Sequence, residues 1–277
     1  MPTPMLVLMG MNFRFSLLMK MKKLSLFFLS FICQQASAQT TLIATQVKNY
    51  QVDRLDNVLY IDLKSNVTKI ESTRLKTNYY AALASGSPEI LDATNPFAIM
   101  VYYPSFFQVK ILDVNLAEIG SYDLRAIYPN SFFNLVCTAP VNGFWAYDEF
   151  SRKLVRLDGN FQIKQQSQDL YLFTKKIIKP NFLSANNEFV YLNDPMVGIM
   201  VFDIFGSYQK TIPLLGLKKF TVNEGKIVYG KDGHILQYQN LRTDTLRSTQ
   251  IKMEQCSMAG ASAYWMQSDS LFTQSLK

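Results

Sequence analysis

Apolar residues in this chain come in short runs of four to seven, each ended by a cluster of turn-forming residues. FAIMVYY (97–103) is followed by QVKIL (108–112), and FVYLND (189–194) by GIMVFD (198–203). The runs are rich in β-branched and aromatic residues, and the 3.6-residue period of an amphipathic helix is nearly absent. Strict alternation is also rare, as in strands covered on both faces. The pattern therefore predicts many short, buried strands. Three of them end alike, at Asp113, Asp158 and Asp203, each 45 residues from the next. Leu112, Leu157 or Phe202 precedes the aspartate, and Val109, Leu154 or Ile199 lies four positions before it. Aspartate suits such a turn because its carboxylate can bond the backbone two residues on.

Upstream of each of these strands lies another with an aromatic near its end, and upstream again a further short one. The repeating unit thus has four strands, A to D. In the third unit they are NLVCTA, GFWAYD, KLVRLD and NFQIKQQS, with a turn at Asp158-Gly159-Asn160 between the last two. Residues 50–72 supply A, B and C of a first unit, with 73–87 a poor fit to its outer strand. Residues 220–251 supply a fifth unit, and 257–276 supply A, B and C of a sixth. The strand missing from the last unit has a candidate at the other end of the chain, TTLIAT (40–45). Six units of roughly 40 residues are the arithmetic of four-stranded propeller blades. The fold expected is all-β: a single β-propeller, six-bladed, with the N-terminal strand joining the last blade. Five or seven blades and an open β-sandwich are the alternatives, and the 45-residue recurrence speaks against the sandwich.

VDRLDNVLYID (52–62) and IMVFDIFG (199–206) resemble the blade motifs of six-bladed propellers of the NHL and TolB-like kind. The resemblance spans most of residues 40–277 and implies a structural scaffold more than a chemistry.

The N-terminus changes the compartment and the charge. Lys20, Lys22 and Lys23 precede the apolar run LSLFFLSFI, and Ala36-Ser37-Ala38 follows. A basic segment, a short apolar stretch and a small-x-small site read as a secretory signal peptide, cleaved after Ala38. The run is too short for a membrane span, which needs about 20 residues. Residues 1–38 are therefore read as a leader and 39–277 as the propeller domain, in the periplasm of a Gram-negative-type cell or outside it, with no transmembrane segment in the mature chain. The long segment before Lys20 reads as lying upstream of a true start at Met19 or Met21, with a membrane-retained leader as the alternative. Cys33 follows Phe31-Ile32, not the small residues that normally precede a lipid-modified cysteine. Removing the leader's four basic residues takes the net charge from +7 to +3. That weakens any nucleic-acid reading, which wants a concentrated basic footprint.

Candidate chemistry is sparse. One histidine, His234, removes most zinc sites and most histidine-based catalysis. A propeller enzyme of the lactonase kind needs Glu, Asn and His around a metal, and no such cluster can be assembled. Acids follow strand B at Asp62, Asp148, Asp194, Asp232 and Asp269; recurrence in blade after blade reads as turn capping. Cys137 and Cys256 fall on inner strands of opposite blades, farther apart than the about 7 Å a disulfide allows, so two buried free thiols are expected. The Asn66 sequon is discounted beside a bacterial type of leader. No catalytic residue, metal ligand or cofactor is expected.

The lysines are more specific. Lys175, Lys176 and Lys179 lie where the third blade hands over to the fourth, and Lys218 and Lys219 one handover later. They are expected on one face of the ring, beside Phe173, Phe182 and Phe220, with Tyr128 and Phe132 at the equivalent position one blade earlier. A basic and aromatic rim suits an acidic partner. The first function expected is a non-enzymatic propeller, monomeric or within a hetero-complex, that binds a protein partner in the cell envelope or scaffolds a complex there. The alternative is an enzyme or binder of a sugar, lactone or peptide at the central channel, and a third reading is an anionic polymer on the lysines. Convergent polar groups at the channel mouth favour the second, an apolar-aromatic rim the first.

Overall fold

The computed structural model describes residues 40–73, 77–81, 86–223, 225–248, 253 and 255–276. The expected leader lies outside them.

The blades follow chain order. Blade 1 holds β2 (Val47–Val52), β3 (Val58–Asp62), β4 (Val67–Ile70) and β5 (Thr77–Tyr80). Blade 2 holds β6 (Ile90–Asp92), β7 (Ile99–Tyr103), β8 (Gln108–Leu112) and β9 (Glu118–Asp123). Blade 3 holds β10 (Phe133–Thr138), β11 (Phe144–Asp148), β12 (Lys153–Leu157) and β13 (Ile163–Gln166). Blade 4 holds β14 (Phe182–Ala185), β15 (Phe189–Asp194), β16 (Gly198–Asp203) and β17 (Tyr208–Ile212). Blade 5 holds β18 (Thr221–Asn223), β19 (Lys226–Lys231), β20 (His234–Gln239) and β21 (Arg242–Ser248). Blade 6 holds β22 (Gln255–Ala259), β23 (Ser262–Gln267) and β24 (Ser270–Ser275), and β1 (Thr41–Ala44) is its fourth strand. All six sheets are antiparallel, and the ring is a six-bladed propeller closed between the two ends of the chain.

The unbroken apolar runs now have a cause. Successive residues of a strand point to opposite faces, and each face meets a different blade. In β7, Met100 and Tyr102 pack against Val136, Ala146 and Val155 of blade 3. Their neighbours Ile99, Val101 and Tyr103 pack against Leu59, Ile61 and Val67 of blade 1. Similar cores join blades 3 and 4, 4 and 5, 5 and 6, and 6 and 1. Outer strands such as β9 and β13 are mostly exposed. The outer strand of blade 1, β5, is half-exposed, which is why TNYY carried so weak a signal.

Five turns share one design. Asp53, Asp62, Asp113, Asp158 and Asp203 each accept, on Oδ1, the N–H groups two and four residues on, at 2.8–2.9 Å. The residue three on is left-handed: Asp56, Ser65, Leu116, Phe161 and Gly206, with φ between 59° and 76°. The glycine of Asp158-Gly159-Asn160 is thus not the left-handed residue. Phe161 is, and its buried ring stacks on Phe144 at 4.2 Å. Among the post-B acids, Asp148 and Asp194 also cap backbone N–H groups. Asp232 occupies a left-handed turn position itself, with φ 49°. Replacing Asp113 with Ala removes two charge-assisted bonds from a partly solvated turn. We expect a loss of about 1 kcal/mol, read as a melting temperature lower by roughly 2–4 °C. An unchanged melting temperature would remove the capping role.

Candidate functional site

Strand order divides the ring into two faces. B–C turns and D–A connections end on one face, called upper here, and A–B and C–D turns on the other. Hydrogen bonds knit the upper face together. Asp148, in the B–C turn of blade 3, accepts from Phe132 N at 2.9 Å in the connection leading into that blade. Asp194 of blade 4 accepts from Lys179 N at 2.6 Å, and the adjacent Pro195 carbonyl accepts from Gly216 N at 2.8 Å. The connections carrying the lysines therefore flank the B–C turn of blade 4.

Lys175 follows the one-turn helix α1 (Tyr171–Thr174) with φ 52°, and it, Lys176, Lys179 and Lys218 are exposed. Between and beside them stand bulky apolar side chains that sequence reading missed. Phe150 is 66% exposed, Ile177 79% and Met196 82%, and Leu172 and Leu215 are also exposed. A signal was present: Phe150 and Met196 each sit two residues after a capping aspartate, where a solvated turn favours polar residues. The carboxylates of this region are engaged. Asp148 and Asp194 cap N–H groups, Asp169 accepts from Arg152 Nε at 3.0 Å, and Glu149 accepts from Asn134 Nδ2 at 3.0 Å. The Arg152 guanidinium holds the Asp169 carboxyl below its usual range.

Three other expected residues have different surroundings. The Tyr128 hydroxyl donates to the Phe161 carbonyl at 2.8 Å and accepts from Ile163 N at 3.0 Å, tying the connection to the C–D turn of blade 3. Phe132 lies between Phe107, edge-on at 5.4 Å, and Phe150, stacked at 5.6 Å. Both rings are half-buried and serve packing. Lys219 is not a rim residue. It turns into the central channel, where its ammonium donates to the Tyr50 carbonyl at 2.5 Å and to Asn49 Oδ1 at 3.3 Å. These acceptors belong to blade 1, so the side chain crosses the channel mouth from the start of blade 5. Its ammonium stands 5.4 Å from the ring centre of Tyr50 and 5.9 Å from that of Phe182. Burial pushes its pKa down to about 8, and the charge of Asp92 opposes that only in part.

The channel is bounded by the inner strands of all six blades and has a volume of about 830 Å³. Its lining is polar at both ends, with Asn49, Asn181 and Gln255 towards the upper face and Asn142, Asn186 and Asn223 towards the lower. Asn181 and Asn193 side-chain amides both donate to the Leu217 carbonyl, at 3.1 and 2.8 Å, which anchors the segment carrying Lys219. Four acids line the channel wall, Asp53, Asp56, Glu89 and Asp92, and two of them have capping roles. Asp92 accepts from Thr94 N and Thr138 N, and Asp53 caps its own turn. Among the described residues no group of three or more His, Cys, Asp or Glu is placed to hold a metal. His234 lies on β20, the third strand out, with Nδ1 3.0 Å from Ser248 Oγ. Cys137 and Cys256 are buried and free, and burial raises the thiol pKa of both, to about 12 for Cys256. Among the described residues no helix is long and apolar enough to cross a membrane.

No family model matches the chain, and neither does any curated protein. Solved structures do match. A catalytically inactive histidine-to-alanine variant of virginiamycin B lyase from Staphylococcus aureus, with quinupristin, superposes with a TM-score of 0.60 at 11% identity, over 84% of this chain and 82% of that one. A streptogramin B lyase gives 0.59 at 14% identity, over 84% and 80%. The WD40 domain of Neurospora crassa Pan2 gives 0.53 at 13%, over 83% and 75%. At these identities the likeness extends to the β-propeller fold and to no activity.

Proposed function

We propose that this protein is an exported, non-enzymatic propeller that holds a protein partner on its upper face, between blades 3 and 4. The partner's surface is acidic with an apolar centre. The coincidence of Phe150, Ile177 and Met196 with Lys175, Lys176, Lys179 and Lys218 carries this reading. Exposed apolar side chains of this size are costly in water unless something covers them. The lysines around them supply orientation and steering towards an acidic surface. Cleavage after Ala38 leaves Gln39 first, two residues before β1, so processing spares the ring. The periplasm or the exterior is then the compartment, and an envelope complex the setting. The lyase activity named for the structural neighbours finds no support in His234, which stands outside the channel on β20.

The test is crosslinked affinity purification from the native envelope with four proteins. These are the wild type, a Lys175→Glu/Lys176→Glu/Lys218→Glu variant, an Ile177→Asp/Met196→Asp variant, and Val141→Asp on the lower face. One or two stoichiometric proteins should accompany the wild type and Val141→Asp, and fall by about tenfold or more with both upper-face variants. Equal recovery with the upper-face variants, or none with a folded wild type, would overturn the reading. Binding of the wild type to phosphatidylglycerol vesicles instead would assign the face to a membrane.

A further inference from the structure

One side chain at the centre of the upper face carries a reactive atom. We propose that Met196 is an oxidative modification site: peroxide converts its thioether to a sulfoxide, and the sulfoxide releases the partner from the face. Release presupposes the partner proposed for that face; the oxidation itself does not.

A sulfur in a folded protein is oxidised where the oxidant can reach it, and Met196 is singular in that respect. Residues 39–277 hold six methionines. Met100, Met200, Met253 and Met266 are buried in the cores between blades, and Met258 is half-buried beside the core of blades 5 and 6. Met196 is 82% exposed. The competing groups are shielded. Cys137 and Cys256 are buried, and burial pushes both thiols up, away from the reactive thiolate. Trp145 and Trp265 are buried as well.

The local fold explains the exposure. Asp194-Pro195-Met196-Val197 is a tight turn in which Val197 N donates to the Asp194 carbonyl at 3.1 Å. Proline at the second position presets the turn, and Met196 N donates to Asp194 Oδ1 at 2.7 Å. Met196 thus stands at the tip. The connections on either side are bonded to the same turn through Lys179 N and Gly216 N. The tip is therefore flanked by the segments carrying Ile177 and Leu215, in the middle of the apolar patch.

The sulfur lone pair attacks one oxygen of hydrogen peroxide. An S–O bond forms, the O–O bond breaks, and the second oxygen leaves as hydroxide, which takes the proton of the transferred oxygen and becomes water. Sulfur gives up two electrons and the peroxide gains them. The product is a polar acceptor on a side chain that was apolar. On the free face water hydrates it, so folding is unaffected. Under an apolar partner surface it becomes a buried acceptor without a donor. Oxidation therefore changes binding and not stability.

The experiment treats the processed, folded chain with hydrogen peroxide, removes the peroxide, and reads every methionine by peptide mass spectrometry. Met196 should be oxidised about tenfold or more faster than any of the other five. Capture of the envelope partner is then compared with that of the same protein untreated. It should fall by about tenfold or more for the wild type and stay the same for Met196→Leu, which has an apolar side chain of similar size and no sulfur at the tip. Methionine sulfoxide reductase with a dithiol should restore the wild type. The melting temperature should move by less than about 2 °C. The proposal is overturned if another methionine of the folded chain oxidises as fast as Met196, if the oxidised wild type captures as much as before, or if treatment weakens Met196→Leu equally. If the untreated wild type captures nothing, the docking face fails and release fails with it, while the oxidation rates decide the site by themselves.

Discussion

Deleting residues 40–45 opens the ring. Strand β1 completes blade 6 from the N-terminal side, pairing Thr41 with Thr273, Leu42 with Phe272 and Ala44 with Leu271. Ile43 and Ala44 also pack into the core shared by blades 6 and 1, beside Tyr50, Tyr264 and Leu271. Without β1, β24 becomes a bare edge, and blades 1 and 6 are joined by the Val47 N bond to the Asp269 carbonyl at 2.8 Å and by their facing side chains. Those include the Tyr50 hydroxyl, which donates to the Tyr264 carbonyl at 2.8 Å and accepts from Ser257 Oγ at 3.1 Å. Losing about four backbone hydrogen bonds, at about 1 kcal/mol each, lowers the melting temperature by roughly 8–16 °C before the lost apolar burial is counted. The exposed edge should also make the protein associate. Thermal melts and size-exclusion chromatography of the truncated chain read both effects. A monomer melting within about 2 °C of the parent would show that closure contributes little.

The second large effect is expected at Gly198, the first residue of β16. Its φ is +108°, and a Cβ added there would stand 2.3 Å from the Ile212 carbonyl oxygen. That oxygen is backbone, and it accepts from Leu214 N at 2.8 Å, so it has nowhere to go. Gly198→Ala should therefore cost about 3 kcal/mol or more, combining backbone strain with overpacking, and lower the melting temperature by roughly 6–12 °C. Gly216 separates the two causes. Its φ is +78°, but nothing lies within 4 Å of its added Cβ. Gly216→Ala should cost only the left-handed strain, about 1 kcal/mol, or roughly 2–4 °C. Equal losses at the two positions would eliminate the clash with Ile212 as the cause.

The lysine pairs show where sequence reasoning reached and where it stopped. Their spacing correctly implied consecutive D–A connections, since Lys179 and Gly216 both bond to the B–C turn of blade 4. It did not resolve the two members of Lys218–Lys219. Both line the channel, but Lys218 is exposed while the Lys219 ammonium is bonded to the Tyr50 carbonyl of blade 1. Tyr128 and Phe132 were legible as an aromatic pair in the equivalent connection. Their commitment to Phe161, Phe107 and Phe150 depends on a C–D turn and a B–C turn brought to them by the ring.

What the sequence determined by itself was periodic: the 45-residue recurrence, the aspartate turns, the doubly buried strands, and a terminal strand left over for the last blade. Such features are local. A turn aspartate bonds residues two and four positions on, and a strand's apolar run records that both its faces are covered. The tertiary structure alone decided which non-local groups meet. It placed Lys219 across the channel against blade 1 and brought Phe150, Ile177 and Met196 among the lysines. Those encounters arise from closing six similar blades around one axis, and the geometry of that closure is set by the sum of the cores between blades, not by any one stretch of chain.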